Sequence, residues 1–330
     1  MTGLGDRRGI ACAGNWIFDT IHMLDRLPRE SELVRMDAAA TSIGGGAANV
    51  AFDLAALGVD YPVLPVGLIG ADAEGEQVIA DCLRHGLTTQ FMRRKTDVRT
   101  AQTYVMTIPG RSRTFFYHGG ANDAFDAGHV DASALAQRRI KILYLGYLNL
   151  LPALAEVSDA AVSKAAELLA EARASGLKTC IDLVSLDTPD LRRQVEVVLP
   201  SVDLLLANEM EASRASGVGI ASEDDRRGLC EAADVLLDGG VCGAVVLHTP
   251  RLVLWKSREE ELWTIPDAIP PAEIVSPVGA GDAFAAGVLH GLHEDWTPSE
   301  TLRLALRAAA ACLRGVGASE AMPKLDALVG

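Results

Sequence analysis

From residue 140 to residue 256 the chain alternates short apolar runs with longer amphipathic ones, and this alternation restricts the fold more than any other feature. The runs "IKILYLGYL", "KTCIDLV", "VDLLLANE", "AVVLHT" and "RLVLWK" read as buried strands. Between them, "SDAAVSKAAELLAEARASG", "TPDLRRQVEVVLP" and "DDRRGLCEAADVLLDGG" carry apolar residues at helical spacing. Strands joined through helices imply right-handed crossovers, hence a mostly parallel sheet with helices on both faces. The amino-terminal part repeats the pattern. "GIACAGNWIFDTI" reads as a strand running out into polar sequence. "GGGAANVAFDLAALG" reads as a helix from Ala47 ending at Gly58, "YPVLPVGLIG" as a strand and "AEGEQVIADCLRHG" as a helix, with two further helices beginning near Asp282 and Pro298. Two segments differ, roughly 18–42 and 97–122. They are strand-like without intervening helices, the second reading as a hairpin around "PGRS", and they are expected to pair as a small flap on one large domain spanning 1–330.

Composition removes several functions. With 30 Lys and Arg against 44 Asp and Glu the formal net charge is −14, and no basic block occurs, which excludes nucleic acid or acidic lipid as the main partner. A small anion is still admissible, because backbone N–H groups or a divalent cation can hold a phosphate on an acidic protein. The six cysteines include no C-x-x-C pair and read as buried, reduced thiols. No apolar stretch approaches a membrane span and the amino terminus lacks a signal-type apolar core, so a soluble cytoplasmic protein is expected.

In a parallel sheet, ligands collect at the carboxyl ends of the strands, where helices point their amino termini. "SPVGAGDAF" has the composition of such a place. Gly279, Ala280 and Gly281 leave backbone N–H groups open to an anion, and Asp282 in the first turn is positioned to accept a proton from an attacking hydroxyl. From this stretch alone a helix cap is an equal reading, since Asp is a favoured cap and Gly-rich turns are common. "GGGAAN" puts Gly44, Gly45 and Asn49 at a second helix start, suited to a polyol; Asn208 and Glu211 of "NEME" follow a strand, as do Asn15 and Asp19 of "GNWIFD". Neither G-x-x-x-x-G-K-[ST] nor a strand followed by G-x-G-x-x-G is present.

Taken together, these motifs resemble the ribokinase/PfkB-type carbohydrate kinases, in the same order over nearly the whole chain. The resemblance implies a ribokinase-like three-layer α/β/α sandwich whose flap serves as a β-sheet lid. It implies a kinase acting on a hydroxyl of a sugar, with Asp282 as base and Gly279, Ala280 and Gly281 as anion hole. Asn15, Asp19, Gly44, Gly45 and Asn49 would hold the acceptor, and Asn208 and Glu211 would organise Mg²⁺ and ATP. It further implies a homodimer through the lid. Three departures mark this chain: Ser276 stands where the family often has an acid that helps bind a monovalent cation, which weakens the expectation of that ion. The interval from Gly58 to Gly70 is longer than usual, and "LHTPRLVLW" replaces the glycine-bearing nucleotide loop. The alternatives are a nucleoside acceptor, with Trp16, Phe18 and Phe115 to Tyr117 stacking the base, and a non-catalytic sensor of sugar or nucleotide.

Overall fold

The computed structural model describes residues 7–36, 39–108, 113–186, 190–315 and 319–329. Strand β1 (Ile10–Gly14) lies inside a nine-stranded sheet together with β4 (Val63–Gly70), β5 (Phe91–Lys95), β8 (Ile142–Gly146), β9 (Lys178–Asp182), β10 (Leu204–Asn208), β11 (Ala244–His248), β12 (Val253–Ser257) and β13 (Glu261–Thr264). The spatial order is β13-β12-β11-β10-β9-β8-β1-β4-β5, parallel from β5 to β11 and antiparallel across the last two pairs. A second, four-stranded sheet has the order β3-β2-β6-β7, built from β2 (Ile17–Met23), β3 (Ala39–Gly44), β6 (Ala101–Thr107) and β7 (Thr114–His118).

Strand β1 shows why helices cover both faces of the large sheet. All five of its residues are buried; Ile10 and Cys12 join one apolar cluster while Ala11 and Ala13 join the other. On the first side pack α1 (Gly46–Leu57), α2 (Ala73–Arg84), α9 (Ala280–His293) and α10 (Pro298–Cys312). On the second pack α5 (Lys164–Ala174), α6 (Leu191–Glu196), α7 (Glu209–Ser216) and α8 (Arg226–Asp238). Short α3 (Ala132–Gln137), α4 (Pro152–Ala155) and α11 (Leu325–Val329) complete the helices described. This is a three-layer arrangement, and strand order reverses between β1 and β8.

Several local expectations need correction. The single strand read over "GIACAGNWIFDTI" is two: the chain breaks at Asn15 and Trp16, passing from the large sheet into the small one. Trp16 makes that break permanent, because it is fully buried, donates its indole N–H to the Val66 carbonyl at 3.0 Å and meets Phe52 edge-on. The helix read from Ser158 begins only at Lys164, where Ser163 accepts from the Ala166 N–H at 3.2 Å; residues 158–161 instead form a turn closed by the Val157–Ser163 bridge. Strands β5 and β13 escape the sequence reading, the first because it is short and charged (FMRRK) and the second because it is only four residues long (ELWT). β6 and β7 pair antiparallel as the hairpin reading requires, but its "PGRS" turn lies outside the described residues. Of the cysteines, Cys12, Cys82, Cys180 and Cys312 are buried, Cys230 is half-buried and Cys242 is exposed, so two thiols are nearer solvent than composition suggested. Among the described residues no helix is long and apolar enough to cross a membrane.

Candidate active site

Helix α9 starts from a residue that only glycine adopts readily: Gly279 has φ 86° and ψ −6°, in the left-handed region. That turn swings the chain out of the preceding loop so that the first intrahelical bond runs from the Ala283 N–H to the Gly279 carbonyl at 2.8 Å. Helix geometry leaves the N–H groups of Ala280, Gly281 and Asp282 outside this ladder, at the positive end of the dipole. The Ala280 N–H donates to the Pro277 carbonyl at 3.4 Å; among the described residues a Cβ on Gly281 would find only His248 near it, 3.9 Å away, which leaves the approach to that turn open. Ser276, just upstream, is buried and turned inward, its hydroxyl accepting from the Val278 N–H at 3.2 Å.

Asp282 is the third residue of the helix and does not cap it. Its side chain turns back beneath the helix start, 3% exposed, and accepts from Asn49 Nδ2 at 2.8 Å and from the Tyr147 hydroxyl at 2.8 Å and 2.9 Å. Burial drives its pKa up to about 6; the Asn49 and Tyr147 hydrogen bonds pull against that, and the charge of Glu211 adds to it. At neutral pH the carboxylate is ionised yet within one unit or so of taking a proton, which suits a general base.

The glycine cluster before α1 is packed against the same place. Gly44 faces Asp19 of β2 so closely that a Cβ there would run into Asp19 Oδ2. Gly45, at φ 97°, leaves room only for the Asn15 backbone, 2.6 Å from where its Cβ would stand. Four residues on, Asn49 reaches Asp282. Asp19 lies between Ser42 of β3 and Thr103 of β6, and burial pushes its carboxyl up to about 7 against the Thr103 hydrogen bond and the charge of Arg113. Asn15 is fully buried, and among the described residues neither its amide oxygen nor its nitrogen has a hydrogen-bond partner. The structure therefore brings Asp19, Gly44, Gly45, Asn49 and Asp282 to one end of the sheet, with Asn15 beneath them.

Asn208 and Glu211 sit at the end of β10 as a reciprocal cap: Asn208 Oδ1 accepts from the Glu211 N–H at 2.9 Å, and Glu211 Oε2 from the Asn208 N–H at 2.9 Å. Ser185 and the Asn208 amide occupy Glu211 Oε1, at 2.8 Å and 2.7 Å. Asn208 also borders a cleft of about 1180 Å³ that continues past His248, Ile265 and Arg303 to Ala280 and Gly281. The "LHTPRLVLW" segment forms the β11–β12 turn on its wall, fastened by Thr249, whose hydroxyl donates to the Glu223 carbonyl at 2.9 Å. His248 ends β11 opposite Asn208 in register and packs its ring on Phe284 at 5.1 Å; burial lowers its pKa to about 4, so the imidazole is neutral.

Sequence reading missed Tyr147, Asp182 and Asp53. Tyr147 and Asp182 each stand at the carboxyl end of a strand, and that position was the available signal. Asp53 had none, sitting mid-helix on α1. Conversely, Trp16 is core and unavailable to stack a base, whereas Phe115, Phe116 and Tyr117 are exposed on β7.

A family model described as "pfkB family carbohydrate kinase" matches residues 7–325. The chain is 28% identical over 305 residues to a ribokinase of Arabidopsis thaliana, covering 91% of this chain and 74% of that one. It is 23% identical over 320 residues to a deoxyribokinase of Salmonella typhi, covering 96% of both. Among solved structures, that of Arabidopsis thaliana ribokinase complexed with ribose and ATP superposes with a TM-score of 0.79 at 25% identity, over 98% of this chain and 97% of that one.

Proposed function

The chain belongs to the pfkB family of carbohydrate kinases, and from that premise we propose that it transfers the γ-phosphoryl group of ATP to a hydroxyl of a sugar or sugar-like molecule at the start of α9. The observation that carries this is the setting of Asp282: a buried carboxyl group held by two side-chain donors, beside the N–H groups of Gly281 and Asp282 that the helix ladder leaves unused. The ribokinase relative solved with ribose and ATP supports both substrates.

Asp282 takes the proton of the acceptor hydroxyl as its oxygen bonds to the γ-phosphorus. The bond from that phosphorus to the bridging oxygen breaks, its electron pair leaving on ADP. The N–H groups of Gly281 and Asp282, with the α9 dipole, meet the negative charge on the transferring group. Asp19, Gly44, Gly45 and Asn49 orient the acceptor, and the nucleotide lies in the cleft beside Asn208 and His248. Asn208 and Glu211 offer hard oxygen donors suited to Mg²⁺ and, being engaged in their reciprocal cap, would hold it indirectly; the ion would supply positive charge to offset that of the phosphates.

The four-stranded sheet acts as the lid, excluding water that would otherwise accept the phosphoryl group. Among the described residues its outer strands β3 and β7 are edges, and β7 presents Phe115 and Phe116 more than half exposed. Edges and aromatics of this kind call for cover, so a second lid from a homodimer is the arrangement we favour. The cysteines, four of them buried, fit the reducing cytoplasm.

The test is ADP release with Mg-ATP across pentoses, hexoses, keto-acid sugars, polyols and nucleosides, with Asp282→Asn in parallel. One acceptor should give turnover that the variant loses by about 10²-fold or more while its thermal transition is kept. A variant with near wild-type kcat sinks the assignment of the base. Binding without ADP from any acceptor turns the reading toward a sensor.

A further inference from the structure

Tyr147 follows β8 directly, at the point where strand order reverses between β1 and β8. Ligands of open α/β sheets bind at such reversals. Its backbone is unusual: φ 49° and ψ 54° place a bulky aromatic residue in the left-handed region, which side chains with a Cβ avoid. Strain of this kind persists where the surroundings impose it. Here the ring lies against Gly46 at the start of α1, where a Cβ would come within 2.8 Å of Tyr147 Cδ1. Thus the conformation directs the phenol at the Asp282 carboxylate, and the glycine clears its path.

The contact has a definite geometry. Asn49 donates to Oδ2 at 2.8 Å, and the single phenol hydrogen is shared between Oδ1 at 2.8 Å and Oδ2 at 2.9 Å. Oδ2 therefore receives two donors and Oδ1 one. We propose that Tyr147 is a positioning residue for Asp282, fixing the plane of the carboxylate so that Oδ1 is the oxygen left to receive the acceptor's proton. This rests on the kinase reading of the site.

The electrostatic surroundings give the contact its importance. Facing Asp282 are Glu211 of α7, Asp182 at the end of β9 and Asp53 of α1, with Tyr144 of β8 and Cys312 of α10 as neutral neighbours. Burial and the charge of Glu211 favour the protonated form; Asn49 and Tyr147 are the donors that oppose it. Removing the phenol hydroxyl alone should leave packing on Gly46 in place and return the carboxyl toward protonation.

The experiment uses Tyr147→Phe in the full-length protein, with two readouts. The first is the pH profile of kcat/KM; the second is a titration of ¹³C-labelled aspartate in the resting protein, the Asp282 signal being assigned by its loss in Asp282→Asn. The acid limb and the carbon midpoint should both move up by about one unit. Turnover should fall roughly tenfold below pH 6 and far less at pH 9, with the melting temperature unchanged. A midpoint that does not move overturns the role of Tyr147, even if turnover drops. If wild-type protein forms no ADP with any acceptor, the kinase reading fails and the positioning role with it, while the carbon titration separately reports whether the two side chains are coupled.

Discussion

A carboxyl group buried inside a helix packed on the core is the clearest residue-scale signature in this protein, and Asp53 carries it. Among the described residues neither of its carboxyl oxygens meets hydrogen-bond geometry, although Ser319 lies near enough to oppose the shift; burial, with the charge of Asp282 adding to it, holds its pKa well above the ordinary value. An acid whose folded pKa is raised contributes its full stability below its unfolded value, near 3.8, and loses it as pH rises through the folded value. The wild type therefore bears a cost at pH 8 that Asp53→Asn, neutral and isosteric, does not. The melting temperature of the variant should exceed that of wild type at pH 8 by about 2 °C or more, and the gap should close toward pH 4. A gap independent of pH would refute this account of Asp53.

At the scale of elements, the start of α9 does two things with one glycine. Its left-handed conformation begins the helix and aims the N–H groups of Gly281 and Asp282 outward. Gly279→Ala should cost about 1–2 kcal/mol of stability. It should also reduce turnover at 25 °C, where the variant remains folded, because the donors move relative to the phosphoryl group. Unaltered kcat alongside a lowered melting temperature would reduce Gly279 to a structural role. The α7 start contrasts with it: there Asn208 and Glu211 satisfy each other's backbone, so that helix is closed to an anion where α9 is open. Motif reading placed both pairs at helix starts, but it could not tell a closed cap from an open one.

For the whole molecule, the small sheet raises the question of assembly. Phe115, Phe116, Tyr104 and Met23 are exposed on it, as is Leu33 from the segment between β2 and β3. Light scattering on the eluting protein should give twice the chain mass of 34.9 kDa, and Phe115→Ser with Phe116→Ser should shift it toward the monomer. A wild-type monomer at micromolar concentration removes the lid-to-lid dimer.

What the sequence determined by itself was the alternation of strands and helices and the two glycine-bearing helix starts, because periodicity and small residues act locally and leave their mark within a dozen positions. Short charged strands such as β5 escaped it, since their pairing and not their pattern makes them strands. The identity of what surrounds Asp282 was decided only by tertiary structure. Asn49 lies 233 positions away and Tyr147 135 positions away, and neither spacing carries information. They meet because parallel pairing carries the ends of β1 and β8 to one edge, and close packing on Gly46 and Gly146 then sets the last few ångströms.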